Sequence, residues 1–324
     1  MTEDLFAPAW ARVQRADELR QQMAQLWNDY LDVHPFAPSL TGEGDGVYIL
    51  RVWEEEPPPL GLAVATGEWL YNARSALDYV IWATAAYESG RLPPPDDGQL
   101  QYPIYDTEEA WNRNLYRLRS LADHHRVMLK TMQPFNSDLD ANYLGWINRL
   151  ARIDRHRHLS RVTAYLAVVE PVLAVPEGCT TTLQWGERML RDGKADVARI
   201  VVTPWREGMD VEINPRIGVD PEIEAWSGSE FWRRIRISDR FHMLQIFLSG
   251  EIATYEYDCT GSSRKADLLT SEYKEECDGR RSAPRSHPRR VSKPVVWSDP
   301  HDGRRSTQNR FDGTDFPPDG AAST

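Results

Sequence analysis

No run in the sequence approaches the roughly 18 to 20 consecutive apolar residues that a membrane-spanning helix needs. Its first residues, MTEDLFAPAW, carry neither the basic start nor the apolar stretch of a secretory signal. A cytoplasmic location with no membrane partner is therefore expected. Cysteine is scarce: Cys179, Cys259 and Cys277 are odd in number and widely spaced, which excludes a CxxC metal site and argues for reduced thiols over a disulfide framework. Lysine is missing from residues 1–100, where sixteen Asp and Glu face six Arg, and the chain carries a net charge of -11. An acidic surface repels phosphate. Residues 149–161, however, hold five Arg and two His against one Asp, so the charge is segregated and a local polyanion contact stays open. Walker A, GxGxxG, GxSxG and HExxH patterns are absent, which removes the commonest nucleotide-binding and hydrolase readings.

The composition that remains, 41% hydrophobic and 27% charged over 324 residues, is that of a globular protein able to bury a sizeable core. Residues 8–33 space Val13, Leu19, Met23, Leu26 and Leu31 as an amphipathic helix. A turn-rich stretch with Pro38 and Gly42–Gly46 leads to a short strand in VYILRVWEEE, closed by Pro57–Pro59. GEWLYNARSALDYVIWATAAYESG predicts a strong helix that Gly90 can cap, and Thr107 with Glu108 and Glu109 opens a helical region reaching about residue 131. From Leu139 to about His158, the positions Leu144, Ile147, Ala151, Asp154 and His158 fall on one helical stripe. The β-branched segments between about 161 and 217 predict an antiparallel sheet, and Ser229 can cap a last helix ended by Gly250. After Asp258 aliphatic residues thin out, so 259–324 is expected to be a disordered tail, with a basic run at 280–293 suited to weak contact with RNA or another polyanion. The expected fold is α+β and mainly α: a helical bundle over 1–258 with a β insertion (sheet about 161–217, final helix 229–249).

Several residues could carry chemistry. Arg74 and Asp78, four apart on the strong helix, are spaced for a surface ion pair, with Tyr79 well round the cylinder. Asp154 and His158, one turn apart on the apolar stripe, need partners because an unpaired buried charge is costly; each other, Arg74 or Arg157 could serve, giving a polar knot that specifies the fold. Arg149, Arg152, Arg155 and His156 face away from that stripe and could meet a phosphate, or simply form a solvated basic face. His124-His125 lacks acidic or cysteine companions at ligand spacing, and His156-x-His158 points to different faces, so no metal and no other cofactor is expected. Of the twelve tryptophans, Trp111, Trp146 and Trp205 lie outside apolar seams and are candidates for a dimer contact or an aromatic pocket.

The segments Gly67-Glu-Trp-Leu-Tyr-Asn-Ala-Arg-Ser-Ala-Leu-Asp-Tyr, Tyr102-Pro-Ile, Gln133-Pro-Phe and Ile153-Asp-Arg-His-Arg together resemble a bacterial family of uncharacterised proteins. That family pairs an N-(L)-R-S-A-L-D-H helix with a later I-D-K-H-R segment, and the likeness spans about residues 10–250. More distantly the chain is similar to HEPN domains, helical bundles that often dimerise and often act as metal-independent ribonucleases. Their signature is an Arg followed after four to six residues by a His at the dimer cleft; the imidazole moves the 2′-hydroxyl proton while the guanidinium stabilises charge on the phosphate. The resemblance implies an HEPN-like bundle, a homodimer and an RNA-related role in stress or defence, with Arg74 as the guanidinium. Tyr79 stands where the His belongs, and an unperturbed tyrosine, with a pKa near 10, is a poor base at neutral pH; His156 is the candidate to replace it. Two readings follow: a weak or degenerate ribonuclease, or a non-enzymatic homodimeric scaffold or binding module whose motif residues hold the helices together while the tail recruits a protein partner. A small-molecule enzyme with a Trp-lined pocket is a third.

Overall fold

The computed structural model describes residues 4–156 and 161–282, and of His156 and Arg234 only the backbone. Helix α1 (Ala7–Asp32) has Pro8 in its first turn, where a missing N–H costs nothing. It turns Ala9, Trp10, Val13, Ala16, Leu19, Trp27 and Tyr30 inward. Helix α2 (Leu60–Ser89) begins where the prolines stop and ends at Gly90, whose φ of 62° is the left-handed cap conformation. Most of its circumference is apolar, and it is the central helix, packed by α1, α5 (Tyr143–His156) and α6 (Ile237–Thr260), with one stripe through Val64, Tyr71 and Tyr79 left exposed. Between α2 and α5 lie α3 (Glu108–Asn114), capped by Thr107 Oγ1 as expected, and α4 (Asp123–Thr131).

The strands are antiparallel. Strands β1 (Phe36–Gly44), β2 (Val47–Glu54), β5 (Thr180–Trp185) and β6 (Lys194–Thr203) form a sheet of order β1-β2-β6-β5. Strand β3 (Val162–Glu170) pairs with β8 (Arg216–Ile223), and β4 (Leu173–Ala174) with β7 (Glu212–Ile213). One core lies among the helices, around Trp69, Leu77, Ile81, Ile147, Leu150, Leu248 and Ile252. The other, with Leu50, Val52, Leu166, Val197 and Ile200, lies under the sheets and is completed by Trp27 and Tyr30 of α1. Arg240 of α6 ties the two parts with a bidentate, buried pair to Glu222 of β8, at 2.8 and 2.7 Å.

The mixed α+β class agrees with the expectation, and four details correct it. The turn-rich stretch around Pro38 is the edge strand β1; at an edge the missing Pro N–H is tolerated, and pairing with β2 outweighs weak β propensity. Gly250 does not end the last helix. The helix begins later, at Ile237, and runs through Gly250 because Leu248, Ile252 and Ala253 are fully buried around it, against a glycine penalty of about 1 kcal/mol. Its stop is Gly261, at φ 81°, donating to the Tyr257 carbonyl at 2.8 Å. Ser229 caps a short turn, accepting from Trp232 N–H at 3.0 Å. The proposed tail boundary at 258 is likewise overturned, since α7 (Ser271–Ser282) follows and buries Tyr273 and Cys277. Arg280 and Arg281, which open the basic run, are spent on Asp258 and Asp278; residues 283–293 of that run, like Arg157 and His158, lie outside the described residues. Finally, Trp111 and Trp146 are core residues, each 3% exposed.

Among the described residues no helix is long and apolar enough to cross a membrane.

Candidate functional site

Two of the motif segments, those of Arg74 and Gln133, converge on a third, the Tyr102-Pro-Ile stretch. Residues 102–104 are buried and Tyr105 is half-buried, and the segment has no strand partner, so its backbone groups must find other ones. Asp78 Oδ1 accepts from Tyr102 N–H at 2.9 Å, and Arg74 Nη2 donates to the Tyr102 carbonyl at 2.5 Å, so two residues one helical turn apart bracket a single residue. Gln133, fully buried, donates to the Pro103 carbonyl at 2.8 Å and accepts from Tyr105 N–H at 2.9 Å. Three side chains thus satisfy four backbone groups.

This corrects the surface-pair reading of Arg74 and Asp78. Their 3.2 Å contact is half-buried, with the Arg74 side chain 13% exposed. Burial lowers the Arg74 pKa against the opposing pull of Asp78, and burial raises the Asp78 carboxyl above its ordinary value. Arg74 Nη1 is buried and donates to no protein acceptor.

The other expected site residues are dispersed. Tyr79 is 39% exposed, and Arg12 sits 5.9 Å above its ring. Beside it is a cavity of about 360 Å³ walled by Asp4, Asp78, Tyr79, Trp82 and Leu92, with no cationic side chain among the described wall residues. The Asp154 carboxylate packs on α2 at Gly67: a Cβ at Gly67 would lie 2.6 Å from its Oδ2, so glycine is what lets α5 come this close. Arg149, Arg152 and Arg155 are exposed along α5, with Arg149 stacked 4.4 Å above the Trp146 ring.

A second cluster, which sequence reasoning missed, lies where α2, α4, α6 and α7 meet. His125 of α4 is 1% exposed, and its Nδ1 is 2.5 Å from Glu88 Oε1 of α2. Its Nε2 is 2.8 Å from Asp258 Oδ2 of α6 but off the axis of a hydrogen bond. His124 Nε2 meets the same Asp258 oxygen at 2.8 Å. The two imidazoles lie with centroids 4.0 Å apart. From α7, Arg280 Nη2 and Cys277 Sγ reach Asp258 Oδ1 at 2.5 and 3.1 Å. His124-His125 therefore does have acidic companions. They come from helices remote in sequence, which is why local spacing could not reveal them.

Burial disfavours a charged His125, but Asp258 and Glu88 on either side outweigh it and raise its pKa. Burial alone would push Asp258 up; contacts from His124, His125 and Arg280 hold it far below the usual carboxylate range. Burial and the neighbouring Asp258 push the Cys277 thiol up to about 12, so it is no nucleophile at neutral pH.

One α6 turn before Tyr255, which faces His125 with centroids 5.4 Å apart, the buried Glu251 accepts from the Tyr102 hydroxyl. Burial raises its carboxyl to about 7.

Comparison of the chain with protein-family models, with curated proteins and with solved structures found no match.

Proposed function

We propose that the chain is a non-enzymatic, homodimeric binding module on an HEPN-like helical bundle, and that it holds RNA on the α5 arginine ridge without cutting it. The observation that carries the non-enzymatic part is the commitment of Arg74. A guanidinium that stabilises charge on a phosphate needs N–H groups free to reach it, whereas Nη2 of Arg74 is bonded to the Tyr102 carbonyl and Nη1 is buried. The RNA part rests on Arg149, Arg152 and Arg155, which the fold leaves in solvent on one outward ridge.

The test uses the purified chain, total RNA and EDTA for cleavage, and labelled single-stranded RNA over a salt series for binding. RNA is expected to stay intact. Binding is expected to weaken as salt rises, and Arg149→Ala and Arg152→Ala each reduce the salt slope by about 1. Sedimentation gives the dimer. Cleavage in EDTA that disappears in folded Arg74→Ala and His156→Ala variants would reverse the reading in favour of the ribonuclease.

A further inference from the structure

We infer that Glu88, His124 and His125 form a binding site for a divalent transition metal, with Zn²⁺ the ion their chemistry favours. Each of the three brings a ligand atom within 4.8 Å of the other two. Imidazole and carboxylate are the donor types of zinc sites outside the all-cysteine class. Asp258 stands behind both rings, its Oδ2 2.8 Å from each Nε2. A carboxylate in that position fixes the tautomer of a metal-binding histidine and raises its basicity. With both Nε2 atoms held there, Nδ1 of each ring is the atom left with a lone pair for the ion, and Nδ1 of His125 already faces Glu88.

The donors are also held together away from bulk water: His125 is 1% exposed, and its Nδ1 lies 2.5 Å from Glu88 Oε1.

Binding moves one proton from His125 to solvent and separates Glu88 Oε1 from Nδ1 by about 1 Å, because two ligands on one zinc stand further apart than a hydrogen-bonded pair. Glu88 is at the C-terminal end of α2 with its side chain 16% exposed, and His124 is 30% exposed, so the ion has an entry path and a position for water.

The experiment titrates the EDTA-stripped, desalted full chain with Zn²⁺ by calorimetry and with Co²⁺ by visible absorption. One equivalent is expected, with tetrahedral Co²⁺ bands and release of about one proton, and affinity falling as pH drops and His125 holds its proton. Asp258→Asn is expected to weaken binding about 10- to 100-fold, and His124→Ala at least as much. His242→Ala, at an exposed position on α6, leaves binding unchanged. Glu88→Gln, nearly isosteric, covers the case in which His124→Ala fails to fold. Absence of binding to the wild type, or full-strength binding in the folded ligand variants, overturns the assignment.

Discussion

The two polar clusters of the helical region use similar residues in opposite ways. Around Tyr102, the side chains of Arg74, Asp78 and Gln133 bond to main chain, so their polarity is consumed in fixing the path of one segment. Around Asp258, the side chains of Glu88, His124, His125, Cys277 and Arg280 bond mainly to one another. Main-chain partners cannot leave, whereas a proton between two side chains can be exchanged. The motif residues gather at the first cluster, but chemistry is more readily hosted by the second.

The sharpest way to break this contrast is His125→Ala, which leaves a cavity in place of a buried imidazole and takes one partner each from Glu88 and Asp258. A loss of about 3 to 5 kcal/mol is expected in denaturant unfolding. The sign of its pH dependence is set by both groups. His125, raised in the fold, contributes below the ordinary histidine range and loses that contribution as pH rises through its folded pKa. Asp258, depressed, contributes above the ordinary carboxylate range and loses it as pH falls. The wild-type advantage over His125→Ala is therefore expected to narrow on the alkaline side.

Next comes Gln133→Ala, which orphans the Pro103 carbonyl and Tyr105 N–H and is expected to cost about 3 kcal/mol while leaving metal and RNA binding intact. A measurable loss of either would mean that the clamp does more than set the chain path. Glu251→Gln tests the link between the clusters. A carboxyl raised to about 7 stabilises below its unfolded pKa and loses that contribution as pH rises through 7. The Gln variant should abolish a fall of about 3 kcal/mol between acid and alkaline pH. The smallest effect is expected for Tyr79→His, which restores the Arg-x(4)-His spacing at an exposed position. Stability should change by less than about 0.5 kcal/mol, and RNA should remain uncut because Arg74 is still engaged.

Much of the architecture was legible locally. The periodicity of α1 and α2, the Gly90 stop and the Thr107 cap all come from short-range physics. Strand β1 was hidden because proline and glycine carry strand-breaking signals that an edge position overrides. Helix α7 was hidden by its own composition: SEYKEECDGRRS is polar on every face but the one holding Tyr273 and Cys277, a pair too small to register as an apolar stripe. The motif residues were visible, yet their task was not, because it depends on backbone groups of a segment that only the fold brings near. The metal-type cluster was the least legible part, since Glu88 and His125 are 37 residues apart and His124 and Asp258 are 134 apart.

Helix α1 has one more consequence. Its first four turns, through Leu19, pack among the helices, its last with Trp27 and Tyr30 close the core beneath the sheets, and Met23 touches both. The two halves of the protein share that rod, so neither can lose it and persist. Melting of the sheet side and of the bundle should coincide in one cooperative transition, with amide exchange in β6 and in α2 limited by the same global opening.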